Sequence, residues 1–190
     1  MLPLLTISVL LSSLAGALPP GVEALAARLA ARPAFECDFR QDRSLPGMRI
    51  PLRSTGTFRF APGVEAVWVQ TAPVAQTILL RREGMELLRP DGSSQKLSSS
   101  APVAGEIASA LFALGQGDLA VLSKTFDVRW IKRDDADWSL KLLPRGVASK
   151  AFRDIVLSGG TDLRSILLTD AGGLPTRIEF GPPRPPAPAK

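Results

Sequence analysis

The sequence contains no histidine. That removes the commonest general base and the commonest soft-metal ligand, so Ser-His-Asp and Cys-His catalysis are excluded. Ser-Lys and carboxylate chemistry stay formally open, but no Gly-x-Ser-x-Gly occurs. Ser93 to Lys96 matches Ser-x-x-Lys by spacing, yet it trails the Asp91-Gly92 turn and lacks the companion Ser-Asp-Asn and Lys-Thr-Gly motifs. Cysteine is nearly missing too. Cys37 is the only one, so no intramolecular disulfide can form. Glu36 and Asp38 beside it raise a thiol pKa, which predicts a small buried residue over a reactive one. Gly115-Gln116-Gly117 lacks the third glycine of a dinucleotide loop and reads as a helix end. Asp134, Asp135 and Asp137 lack the rest of a calcium loop and read as a solvated hairpin tip. Arg81-Arg82 and Lys132-Arg133 have no run of exposed aromatics beside them to stack bases, which argues against nucleic acid. No cofactor is implied, and an enzyme is not expected.

Long apolar runs are scarce as well. Leu2 to Leu14 is one, too short to span a bilayer comfortably. Ala15-Gly16-Ala17 supplies a small-x-small cleavage site after it, so residues 1–17 are predicted to be a signal peptide, although no Lys or Arg precedes the run. An uncleaved anchor is the competing reading. A lipoprotein signal would carry cysteine where Ala17 stands, so the mature protein is expected to be a soluble periplasmic species.

The remaining 45% hydrophobic and 22% charged composition is that of a globular chain, and 190 residues suffice for one domain. The net charge of +5 is compatible with anionic lipid headgroups, an acidic protein patch, nucleic acid or a merely solvated surface. Val22, Leu25, Ala26 and Leu29 recur at helical spacing, which predicts a helix over Gly21 to Arg32. Phe35, Cys37 and Phe39 then alternate with polar residues as a strand does. Further strands are expected near 54–60, 65–71, 75–82, 85–89, 95–97, 125–132, 137–143, 152–157, 163–169 and 175–180, separated by Gly, Pro and Asp turn signals. Between the two sets, Val103, Ile107, Ala110, Leu111 and Leu114 share one helical face, and Asp118 is placed to cap a shorter helix. The prolines of GPPRPPAPAK, residues 181–190, predict a flexible tail.

About ten antiparallel strands with short connections form a sheet wide enough to curl. Parity sends Phe58, Phe60, Trp68, Ile78, Leu80, Leu87, Val128, Trp130, Leu140 and Leu142 to one face. Two helical pieces are little cover for so much apolar lining, which leaves room for a cavity. A sheet packed tightly on its helices is the plainer alternative.

Several segments resemble one family. FECDFRQ (Phe35 to Gln41), Gly56 to Phe60, Pro62, Trp68-x4-Pro73, Thr77 to Leu80, WSLKLLP (Trp138 to Pro144) and DAGGLPTRIEF (Asp170 to Phe180) are similar, in that order, to the periplasmic LolA-like outer-membrane lipoprotein carriers. The resemblance covers Leu18 to about Phe180. It implies a mainly β fold, an incomplete antiparallel β-barrel closed by a helical lid. It also implies a monomeric carrier that takes lipoprotein acyl chains from an inner-membrane exporter and hands them to an outer-membrane acceptor. Ala17 in place of cysteine puts the chain on the soluble-carrier side. On this reading the ten inward residues are the ligand-binding lining, and Leu25, Leu29, Leu111 and Leu114 belong to the lid. One departure stands out. Where these carriers place a lid-contacting arginine before the proline, this chain has Ala61, with Arg59 the nearest substitute. A carrier of another exported lipid, a glycolipid or a polyene pigment, stays open. So does a non-enzymatic envelope scaffold that uses the outer face and the Pro-rich tail.

Overall fold

A computed structural model describes residues 18–81, 84–96, 112, 115–134 and 136–187. The predicted signal peptide, Leu111 and Leu114 lie outside the described residues. Helix α1 (Val22–Ala30) comes first, followed by β1 (Phe35–Arg43), β2 (Leu52–Ala61), β3 (Glu65–Ala72), β4 (Gln76–Arg81), β5 (Gly84–Leu88) and β6 (Ser94–Lys96). Helix α2 (Leu119–Thr125) leads into β7 (Phe126–Arg133), β8 (Trp138–Pro144), a 3-10 turn (Gly146–Lys150), β9 (Phe152–Gly159), β10 (Leu163–Asp170) and β11 (Pro175–Phe180).

All eleven strands form one antiparallel sheet in the order β6-β5-β4-β3-β2-β1-β11-β10-β9-β8-β7. Two hairpin meanders are therefore sewn together where β1 meets β11, and the edges β6 and β7 stay unpaired with each other. The barrel is incomplete. Edge strand β6 is exposed at all three of its described residues. The segment joining the two edges, 97–118, is where the sequence places its lid.

The register confirms the parity argument. Opposed residues of an antiparallel pair share a face, and Phe58↔Trp68, Trp68↔Ile78 and Ile78↔Leu87 run across one half of the sheet. Val128↔Leu142 and Trp130↔Leu140 continue the same face on the other half, then Leu142↔Ile155 and Leu140↔Leu157. All ten residues thus look into the concave side.

That side is not uniformly filled. Over β7–β10, α1 lays down Val22, Leu25 and Ala26 against Trp138, Leu140, Leu142, Ile155 and Leu157, and all of them are buried. Each such aliphatic side chain contributes roughly 1.5–3 kcal/mol by leaving water. Trp138 Nε1–H finds the Gly160 carbonyl at 2.7 Å, so its polar edge is satisfied too. Helix α2 adds Leu122, and the Asp118 side chain accepts from the Val121 N–H at 3.3 Å, the expected cap. Helix α1 stops at Ala30, two residues short of Arg32-Pro33, and Gly21 at its N-cap takes φ 89°, which suits glycine alone.

The expectation of a flexible tail over 181–190 is corrected for its first residues, 181–184. Gly181 N–H donates to the Asp38 carbonyl at 2.8 Å, and Arg184 and Glu36 exchange both backbone hydrogen bonds at 2.8 Å each. The Arg184 guanidinium also reaches Glu36 and Asp38, at 3.0 and 2.8 Å. Arg184 stands between two proline pairs and keeps the N–H they lack, and with Gly181 it extends pairing along β1. Its hydrogen bond holds the Asp38 carboxyl below the usual carboxylate range. The side-chain part of this anchor is therefore present above Asp38's ordinary pKa and is lost as pH falls through the lowered one. Truncation after Phe180 is expected to raise hydrogen exchange at the Glu36 amide to that of an unpaired strand edge. Unchanged exchange would show that the tail does not pair in solution.

Candidate functional site

Where β1, β2 and β11 meet, the concave face is aromatic instead of filled. Six of the eight phenylalanines and one of the three tryptophans touch in a single chain of rings. Phe58 is its centre, with ring centroids 5.5 Å from Phe180, 5.9 Å from Trp68 and 6.2 Å from Phe35. Phe39 lies against Trp68, and Phe112, from the segment between the sheet edges, meets Phe60 edge-on at 5.7 Å and 70°. These are separations and tilts at which aromatic pairs attract.

Beside the rings lies a cavity of about 110 Å³. Its walls are Phe35, Cys37, Phe58, Phe60 and Phe180 from the β1–β2–β11 seam, Leu157, Leu163 and Ile166 from β9 and β10, and Leu29 from α1. Gly115 closes it on the side of the joining segment. A Cβ at Gly115 would come within 2.8 Å of the Phe60 ring, so glycine is what lets that segment settle onto the ring. Gly181 and Pro183 of the docked tail complete the wall. Burial pushes the Cys37 thiol up to about 11, with Arg184 opposing and Asp38 and Glu36 adding to the rise. Near neutrality it is a protonated, apolar wall atom and no nucleophile.

Charge is confined to the rim. Arg32, at the end of α1, is paired with Asp162 in the β9–β10 turn, and Arg28 donates to the Gly160 carbonyl at 3.0 Å. These contacts tie the end of α1 to the sheet; being partly exposed, they add little stability. A second hollow of about 290 Å³ lies between α1 and the β7–β8 turn. Its walls mix Arg28, Arg133 and Asp134 with two tryptophans, so it is a solvated cleft and not a home for a hydrocarbon.

The predicted site residues fall into three groups. Phe58 and Phe60 line the cavity, and Trp68 adjoins it through its ring contacts. Ile78, Leu80 and Leu87 lie further along the same face, half-buried on β4 and β5. Val128, Leu140 and Leu142, expected to line the ligand site, are instead the packed core beneath α1 and α2. Trp130 is held from Nε1 to the Pro20 carbonyl at 3.1 Å, against the chain leading into α1. Of the expected lid residues, Leu29 faces the cavity while Leu25 is core. Arg59 stands on the face opposite to Phe58 and Phe60, the face Ala61 shares, and pairs with Glu65 at 3.5 Å. The described tie between barrel and joining segment is a different one. Gln116 Oε1 accepts from the Gly63 N–H at 2.5 Å, in the turn just after Ala61.

Sequence reasoning missed Phe35, Cys37, Leu157, Leu163, Ile166 and Phe180 as lining, together with the Arg32–Asp162 rim. Parity already put Phe35, Cys37 and Phe180 on an apolar face. What it could not supply was the β1–β11 seam, which makes them neighbours of Phe58.

The fold is thus an unclosed antiparallel sheet, packed over β7–β10 and holding an aromatic apolar hollow where that packed half meets the β1–β2–β11 seam. The chain belongs to the family of outer membrane lipoprotein carrier protein LolA-like proteins, which it matches over residues 17–178. Similar solved structures include the LolA superfamily protein NE2245 from Nitrosomonas europaea, at 13% identity over 89% of this chain and 94% of that one, TM-score 0.49. A DUF1329 family protein from Desulfovibrio piger shares 11% identity over 90% and 94%, TM-score 0.48. The Pseudomonas aeruginosa MucA/MucB complex shares 16% over 87% of this chain and 58% of that one, TM-score 0.49. Likenesses this distant say nothing of ligand or partner. No curated protein matches the sequence. Among the described residues, no helix is long and apolar enough to cross a membrane.

Proposed function

We infer that this protein is a non-enzymatic periplasmic carrier that shelters the acyl chains of lipoproteins between an inner-membrane exporter and an outer-membrane acceptor. The observation that carries the reading is the aromatic cavity with its charges confined to the rim. Each buried CH₂ is worth about 0.8 kcal/mol, so a long acyl chain needs such a host to cross water. Size adds a requirement. A ligand pocket commonly measures roughly 300–1,000 Å³, and a cavity of about 110 Å³ takes only part of one chain. Loading therefore displaces the segment seated on Phe60 and opens the half-buried trough along Trp68, Ile78, Leu80 and Leu87. A host that must rearrange to load also releases readily to a tighter acceptor. Residues 1–17 act as the export signal, 18–180 as the carrier domain, and the carrier works as a monomer.

One observation favours a second cargo. So continuous a chain of rings suits a flat conjugated chain, such as a polyene, at least as well as a flexible saturated one. Native mass spectrometry of the protein isolated from its own periplasm separates the readings. Lipoprotein or acyl-lipid adducts support the first and conjugated-chain adducts the second. Protein that carries no lipid and binds none when offered it would sink both.

A further inference from the structure

Several of the large apolar side chains that the fold leaves in water gather at one end of the sheet. Residues 44–51 join β1 to β2 there, with Ile50 76% and Met48 55% exposed. Val74, 65% exposed, sits in the β3–β4 turn at the same end, because Thr55 near the start of β2 pairs with Ala72. Val147, 55% exposed, lies in the 3-10 turn between β8 and β9 at the same end, which two backbone bonds of 2.9 Å link across the loops, Ala171 N–H to the Ala151 carbonyl and Ser44 N–H to the Pro175 carbonyl. None of the four packs on the core.

The charges around them are predominantly positive. Arg43, Arg49, Lys150 and Arg153 are exposed at this end, and among the described residues no carboxylate pairs with them. The acids nearby are engaged. Asp42 is paired with Arg40 and Arg53, and Asp154 with Lys141. Asp91 and Asp170 accept from the Ser93 and Leu174 N–H groups of their own turns, both at 2.8 Å. Apolar tips on separate loops, set among unpaired cations that outnumber the acids left without a cation, match a surface that is greasy beneath and anionic at the top. An acidic protein partner would use the cations but leave Ile50 and Met48 without a purpose.

We propose that this end of the barrel docks on an anionic lipid bilayer. Met48 and Ile50 enter the headgroup boundary, with Val74 and Val147 beside them, while Arg43, Arg49, Lys150 and Arg153 meet lipid phosphates. Strand β10 begins at the Arg32–Asp162 rim and ends here, so docking leaves the cavity rim unobstructed. The contact does not depend on what the cavity holds.

The test is flotation of the exported protein, purified from cells, with phosphatidylethanolamine vesicles containing phosphatidylglycerol and with phosphatidylcholine vesicles. Binding to the anionic vesicles alone, weakening as salt is raised, is expected. Ile50→Glu with Met48→Glu should remove it, and Arg43→Glu and Arg49→Glu should each weaken it by about fivefold or more. All four positions are exposed, and unchanged circular dichroism and fatty-acid binding would show that the fold and the cavity are untouched. Equal binding to both vesicle types, no binding to either, or binding that ignores these substitutions would overturn the proposal. Absence of docking with cargo binding intact would leave the carrier reading standing and give this end to a protein partner.

Discussion

Phe58→Glu is expected to abolish binding of a fluorescent fatty acid while leaving the protein folded. Phe58 touches four of the other rings and forms part of the cavity wall. It is itself only half-buried, so a glutamate there can turn toward solvent in the empty protein. In the loaded state it cannot. A carboxylate facing a hydrocarbon must either stay charged without partners or take up a proton, and either costs several kcal/mol. At about 1.4 kcal/mol per factor of ten, affinity should fall by at least about 100-fold. Titration of the fluorescent probe, beside circular dichroism of the same sample, reads both halves of the claim. Ile78→Glu provides the contrast. It lies two strands away on the same face, beyond the ring cluster, and should weaken long chains more than short ones. If Ile78→Glu removed all binding and Phe58→Glu none, the bed for the ligand would be the β3–β5 trough and the ringed cavity would be incidental.

How much of this was legible beforehand depends on how local each feature is. Inward and outward faces follow from a period of two within each strand, and every inward residue assigned that way does face the concave side. The apolar stripe of α1 and the Asp118 cap are equally local, and both are present. The pairing of β1 with β11 is not local. It joins residues some 140 positions apart, so it could not be read from turn signals that describe only successive hairpins. The division of the concave face depends on that seam. Helix α1 runs over β7–β10 although it precedes β1 in the chain, so Leu140 and Leu142 became core while Phe58 and Phe60 kept open space beside them. Arg184 shows the limit of compositional reasoning. Four prolines within six residues read as a flexible tail, yet the N–H groups of Gly181 and Arg184 and the Arg184 carbonyl were enough to dock its first residues. The half-filled interior also resolves the choice between a hollow sheet and a tightly packed one: the two halves of this sheet differ.

That division makes a second large effect predictable, with the opposite signature. Leu140→Ala removes a fully buried side chain from beneath α1, among Leu142, Leu157 and Trp138. Its neighbours sit on paired strands and on a helix held at its far end by Arg28 and Arg32, so the gap cannot collapse cheaply. A loss of about 2–5 kcal/mol is expected, the range for leucine truncation in rigid cores, against a total that for domains of this kind is about 5–15 kcal/mol. The urea midpoint should drop with an unchanged slope. Yet fatty-acid affinity, measured where the variant is still native, should match the wild type, because Leu140 forms no part of the cavity wall. Phe58→Glu costs binding and spares stability; Leu140→Ala costs stability and spares binding. A Leu140→Ala protein that stays fully stable but binds lipid poorly would mean that the packed half opens in solution and that the carrier uses the whole concave face.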